Sequence, residues 1–306
     1  MGRFSVYIGI FLRGCAMGAA DLVPGVSGGT IALITGIYER LINAIASIDM
    51  SASSMMLKGD IKAAWKHIDG GFLLALALGI LTTIALLAHL IEHLVESQPV
   101  LLWAFFCGLI LASIMLLIRM LPKPDIVLCI CMVLGALLAF GLAQIRAAEL
   151  PVTWIFIFFG GFIAISAMML PGISGSFLLL MLGLYQPTLQ AVTELNLAYI
   201  AFFAAGVATG FIVFSRVIRY LLTHFKNRML YFLTGLLIGS LSATWPWKID
   251  SLDQLAVVNV MPSTYANLGL DAQFWPALIY LAAGFILVSV IAYAGARTKT
   301  TNHAAH

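Results

Sequence analysis

Two five-residue runs share one pattern: Pro24-Gly25-Val26-Ser27-Gly28 and Pro171-Gly172-Ile173-Ser174-Gly175 both read Pro-Gly-x-Ser-Gly. Proline lacks an N–H and clashes with the preceding turn, and glycine adds backbone freedom. Pro24, Gly25, Pro171 and Gly172 are therefore expected to break helices. The residues after each break could hold an anion. Ser27, Gly28, Gly29 and Thr30 open one apolar run, and Ser174, Gly175 and Ser176 open another. The first N–H groups of a helix have no intrahelical partner, and the macrodipole adds partial positive charge there. Glycines let an anion approach the backbone, hydroxyls add hydrogen bonds, and such a helix start binds anions. The competing reading is packing glycines and a helix cap, since Gly and Ser are common at helix contacts in membranes. Two matching copies weigh against it.

Ionisable residues add to this candidate site. Arg13 and Asp21 lie inside the first apolar run. Charge is costly in lipid, so both are expected to face the protein interior. A guanidinium near the breaks could pair a phosphate through two parallel bonds; alternatively Arg13 and Asp21 stabilise each other or a loop. Asp21 and Glu39 are candidates to take up a coupling proton or sodium ion. No other cofactor is expected. His89, Glu92 and His93 spell H-x-x-E-H, a spacing used by some zinc peptidases, but they end an apolar run and read as interfacial polar residues. Tyr38 and Tyr185, about three turns past the breaks, read as interfacial anchors. Cys15, Cys107, Cys129 and Cys131 all lie in apolar runs and suggest neither a metal site nor a disulfide framework.

The elements that position these residues must live in lipid. Hydrophobic residues make up 62% of the 306-residue chain and charged residues 9%, where soluble domains carry about 25% charged. The net charge of +3 is too sparse for a nucleic-acid footprint. Ten apolar segments run over about 4–23, 26–48, 71–95, 99–121, 124–146, 151–170, 173–193, 196–222, 228–248 and 273–295, each near the roughly 20 residues that span a bilayer. The N-terminus imitates a signal peptide, with Arg3, an apolar run and small residues at 16–20. Arg13 interrupts that run, which reads as a retained first segment. The fold class expected is an all-α polytopic membrane protein.

The chain also repeats itself. Residues 20–29 match 167–176 at an offset of 147, continuing through Leu33 with Leu180, Gly36 with Gly183 and Tyr38 with Tyr185. A second echo pairs Gly108-Leu109 and Ser113 with Gly235-Leu236 and Ser240. The repeats are 1–147 and 148–306, within one integral membrane domain. Each holds five segments, or three spans if each Pro-Gly pair tips a re-entrant hairpin. Both counts are odd, so both give an inverted repeat, the common plan of secondary transporters. Threading ten segments puts thirteen Lys and Arg on the N-terminal side against Arg146 and Lys248 on the other. This bias predicts cytoplasmic termini. Within 51–69, Lys58, Lys62 and Lys66 fall on one helical face and Ile61, Trp65 and Ile68 on another; the stretch is either an interfacial helix or a plain linker. The 249–272 stretch, with Asp250, Asp253 and Asp271, reads as an external loop.

The run from Arg13-Gly14 through Asp21-Leu22-Val23-Pro24-Gly25-Val26-Ser27-Gly28-Gly29-Thr30 to Gly36-Ile37-Tyr38-Glu39 resembles the bacterial polyprenyl-phosphate transporter family, long a domain of unknown function. The stretch from Leu170 to Ser176, with Gly183-Leu184-Tyr185, resembles it too. The resemblance implies a translocase that returns undecaprenyl phosphate, the carrier lipid of cell-wall synthesis, to the cytoplasmic leaflet of the bacterial inner membrane. It implies phosphate contacts from Ser27, Gly28, Gly29, Thr30, Ser174, Gly175 and Ser176. Arg13, Asp21 and Glu39 belong to the first signature, whereas Met168 and Gln186 stand at the matching places of Asp21 and Glu39 in the second. Any charge-coupled step is therefore expected in the first half. The partners implied are the lipid and the membrane, not nucleic acid, and a homodimer is compatible. Two rivals stay open: a transporter of a small soluble anion, and an intramembrane lipid phosphatase. The phosphatase lacks support because none of the six histidines lies in a Pro-Gly signature.

Overall fold

The computed structural model describes residues 3–22, 27–144, 153–250 and 257–303. The helices are α1 (Arg3–Asp21), α2 (Gly28–Ile34), α3 (Tyr38–Ala46), α4 (Met50–Leu57), α5 (Ile61–His67), α6 (Gly70–Ser97), α7 (Pro99–Met120), α8 (Ile126–Gln144), α9 (Trp154–Met168), α10 (Gly175–Met181), α11 (Tyr185–Thr193), α12 (Leu197–His224) and α13 (Lys226–Ser240). Strands β1 (Lys248–Asp250) and β2 (Val257–Asn259), then α14 (Pro262–Asn267) and α15 (Phe274–His303), complete the order. The chain is mostly helical, as expected. Four helices among the described residues are long and apolar enough to cross a membrane, over Gly70–Leu87, Pro99–Met120, Ile126–Ala143 and Leu197–His224.

Two predicted segments are not single helices. The run 26–48 folds as α2 and α3, and 173–193 as α10 and α11. Seven- and nine-residue helices are too short to span alone. In the first case the physical reason is a Schellman ending, in which Gly36 takes φ 72° while the N–H of Ile37 bonds Ala32 O and that of Gly36 bonds Leu33 O. Gly183 repeats it at φ 68°, with Leu184 N–H bonding Leu179 O. The short helices start 147 residues apart, Gly28 against Gly175 and Tyr38 against Tyr185, so the sequence offset is also an offset of elements. The 249–272 loop is likewise not wholly irregular: β1 and β2 pair antiparallel with Ile249 opposite Val258.

The chain forms two compact units, and neither coincides with a sequence half. One takes residues 1–86 and 147–229, the other 87–146 and 230–306. In the first unit, glycines bring backbones into contact. A Cβ on Gly14 would strike Leu76 O, and one on Gly79 would strike Phe11 O, so α1 and α6 pack reciprocally. Gly161 against Phe203 O and Gly206 against Phe158 O do the same for α9 and α12. Without a hydrophobic force between helices in lipid, such close approach is what holds them. In the second unit, Gly108 and Gly284 join α7 to α15, and Gly135 and Gly235 join α8 to α13. Its β-ribbon end is held by Trp245, whose indole N–H donates to Val260 O at 2.8 Å, and Trp247, which donates to Ala272 O at 2.8 Å.

Candidate functional site

Both motifs belong to the first compact unit, and they meet there. Pro24 and Gly25 lie outside the described residues, so the first break is described only from its flanks, α1 ending at Asp21 and α2 starting at Gly28. The second break is described in full. Helix α9 stops at Met168, Pro171 is buried, and Gly172 takes φ 85°, a left-handed conformation that a side chain would strain.

Side chains in and just after the first motif satisfy backbone in and just before the second. The Ser27 hydroxyl faces Met168 O at 3.3 Å and Leu170 O at 3.4 Å. Thr30 Oγ1 accepts from Gly172 N–H at 3.1 Å, and the Tyr38 hydroxyl donates to Met169 O at 2.9 Å. These partners lie more than 130 residues apart in sequence. Gly29 faces the same strip, since a Cβ there would sit 3.1 Å from Met168 O. Ser27, Thr30 and Tyr38 are all at most 2% exposed. A helix end broken in an apolar interior leaves carbonyls and amides that water cannot reach, and here hydroxyls of the other motif cover them.

The amide groups that the sequence leaves open at α2 are engaged. Asp21 Oδ1 accepts from Gly28 N–H at 2.6 Å, and Ser27 Oγ accepts from Gly29 N–H at 3.1 Å as the N-cap. Asp21 therefore presents its carboxylate where a phosphate oxygen was expected. In the second motif, Ser174 and Ser176 hydroxyls lie 2.9 Å apart, and Gly175 abuts Ala164 O of α9. Ser174 is 6% exposed.

The remaining candidates are spread out. Arg13 does not reach Asp21: its Nη1 lies 3.7 Å from where a Cβ on Gly9 would be, toward the start of α1. Glu39 is ion-paired with Lys226 at 2.7 Å, and both side chains are about half exposed. Tyr38 is not the interfacial anchor its spacing suggested, because its ring is buried; Tyr185, its counterpart, is 38% exposed. The side chain of Glu92, in the H-x-x-E-H run, lies outside the described residues. Sequence reasoning missed the bonding role of Tyr38 and the capping role of Asp21. The latter had a signal: an acid shortly before a helix start complements its N-terminus.

A family model described as "VCA0040-like: Undecaprenyl phosphate translocase-like" matches residues 17–258. A "Polyprenyl-phosphate transporter" of Vibrio cholerae serotype O1 is 42% identical over 297 residues, covering 94% of this chain and 96% of its own. The chain belongs to the polyprenyl-phosphate transporter family. A second "Polyprenyl-phosphate transporter", from Staphylococcus aureus, is 34% identical over 253 residues, 77% of this chain and 85% of its own. No solved structure gives a significant match. As a member of the polyprenyl-phosphate transporter family, the chain is a transporter and not an enzyme. The span matched by the family model takes in both Pro-Gly-x-Ser-Gly motifs, Asp21 and Glu39, and begins four residues after Arg13.

Proposed function

We propose that the protein translocates undecaprenyl phosphate across the bacterial inner membrane by alternating access, returning the carrier lipid to the cytoplasmic leaflet for cell-wall polymer synthesis. The observation that carries this reading is the junction of the two motifs in one compact unit, where Ser27, Thr30 and Tyr38 bond the backbone over 168–172. A buried polar junction in an apolar unit gives a phosphate headgroup hydrogen-bonding partners that hydrocarbon lacks, while the prenyl tail stays in lipid. The matched lengths and offset of α2 with α10 and α3 with α11 support an internal duplication, and the sequence count of five segments, or three spans, in each repeat supports an inverted one. The thirteen-to-two cation bias supports multi-pass insertion with both termini cytoplasmic.

Asp21 gives this mechanism its coupling step. Its carboxylate and the phosphate compete for one donor, the Gly28 N–H, which Asp21 holds at 2.6 Å. Two anions sharing one helix start repel, so a proton on Asp21 favours phosphate entry and its loss favours release. The binding set is Gly28, Gly29, Ser27 and Thr30 with Ser174, Gly175 and Ser176. Arg13 joins the binding set at an earlier stage of entry, meeting the headgroup more than two turns away from Asp21 along α1.

Flux of labelled undecaprenyl phosphate in proteoliposomes tests the proposal. The expected result is lipid movement accelerated by an imposed proton gradient, and an Asp21→Asn variant that binds the lipid but ignores the gradient. Asparagine keeps a carbonyl oxygen for Gly28 and cannot titrate, which is why it separates binding from coupling. Robust movement of a small soluble anion with none of the lipid would overturn the substrate assignment. Release of inorganic phosphate from the lipid would overturn transport itself.

A further inference from the structure

The paired helices α4 and α5 stand between the nine-residue α3 and the long apolar α6, in the first compact unit. Both are short and start at well-formed caps. Asp49 accepts from Ser51 and Ala52 N–H at 2.9 and 3.0 Å, and Asp60 accepts from Ala63 N–H at 3.0 Å. The pair is closed by His67 Nε2 against Asp49 Oδ1 at 3.3 Å, and its exit is held by Arg40 against Asp69 at 2.6 Å. Only Ala52 and Ala64 within the two helices are buried.

What remains outward is apolar and cationic together. Met50 is 86% exposed, Leu57 89%, Ile61 67% and Trp65 47%. Lys58, Lys62 and Lys66 are exposed as well. On α5, Ile61 and Trp65 stack one turn apart, and Lys62 and Lys66 flank them by about 100°. The acids nearby are already committed: Asp49 and Asp60 to caps, Asp69 to Arg40. None of the three lysines has an acidic partner among the described residues. Connectivity supplies the depth, because Lys66 lies four residues before Gly70, where the candidate span Gly70–Leu87 begins.

We infer that the outer face of α4 and α5 docks on the headgroup layer of an anionic bilayer, its apolar side chains dipping below the phosphates and its three lysines binding them. Exposed Met, Leu, Ile and Trp beside uncompensated lysines at the mouth of a span fit a surface that is greasy below and negative above. A protein partner would be expected to offer acids matched to each lysine, which a fluid anionic surface does not need. The inference is independent of which substrate the transporter carries.

Hydrogen–deuterium exchange on the full-length protein in nanodiscs tests it, comparing phosphatidylcholine alone with phosphatidylcholine containing phosphatidylglycerol. The expected result is several-fold slower exchange over residues 50–68 when phosphatidylglycerol is present. That protection should fade in about 1 M salt, where the screening length falls to about 3 Å. The triple variant K58Q/K62Q/K66Q should lose the phosphatidylglycerol response while exchange in α12 stays at the wild-type level, which marks the fold as intact. Equal exchange in both lipids for the wild type, or an unchanged response in a folded triple variant, would overturn the inference.

Discussion

Tyr38 shows how one hydroxyl can hold a broken helix in an apolar interior. Its donation to Met169 O covers a carbonyl that α9 no longer pairs. Tyr38→Phe keeps the ring and leaves that carbonyl unsatisfied, at a cost of about 1–3 kcal/mol. The expected outcome is a lower melting temperature in detergent, with Tyr185→Phe shifting it less because Tyr185 is 38% exposed. Ser27→Ala removes both the α2 cap and the contact with Met168 O. Loss of such a cap costs about 1 kcal/mol, so the variant should fold, yet lipid flux should fall several-fold because the junction loosens. Arg13→Ala should depress flux further if the guanidinium takes a phosphate bidentately, and Arg13→Lys should restore only part of it. Wild-type flux in Arg13→Ala would remove Arg13 from the binding set.

The glycine contacts act on whole elements. A Cβ on Gly206 would drive into Phe158 O, and one on Gly161 into Phe203 O, so α9 and α12 cannot keep their separation with alanine at either place. Overpacking of this kind costs about 1–3 kcal/mol. Gly206→Ala should therefore lower thermal stability in detergent, whereas Gly141→Ala, with open space around it, should leave stability unchanged or raise it. At the other extreme of exposure, the α4 cap responds to acid. The Ala52 N–H, and next the neighbouring His67, hold the Asp49 carboxyl below the usual carboxylate range. A carboxyl with a depressed folded-state pKa contributes stability above its unfolded value, which is lost as pH falls through the folded one. Exchange in α4, corrected for its intrinsic pH dependence, should rise only below about pH 4.

On the scale of the molecule, the compact units interleave the two sequence halves. Each draws one part from residues 1–146 and one from 147–306. Neither half holds a complete unit, so fragments 1–147 and 148–306 expressed separately should be degraded. Co-expressed, they should copurify through a tag on one of them. Stable, monodisperse fragments on their own would contradict the interleaving.

Composition is enough to name the solvent, because a chain with 62% hydrophobic residues and 9% charged ones must meet lipid. The helical class, the second break at Pro171-Gly172 and the 147-residue offset were legible too, since they depend on composition and local spacing. The α2–α3 and α10–α11 turns at Gly36 and Gly183 were hidden, because the apolar pattern resumes at once after each glycine. Packing selects which groups cover the broken backbone: Ser27, Thr30 and Tyr38 reach acceptors and donors more than 130 residues away, and Asp21 takes the Gly28 N–H. Hydrogen bonds between distant segments leave no periodicity to read, because hydroxyls and carboxylates are compatible with many partners and only packing selects one. Interleaving of the halves is fixed in the same way, in the first unit by those hydrogen bonds and in the second by glycine faces that join α7 to α15 and α8 to α13 once the helices lie side by side.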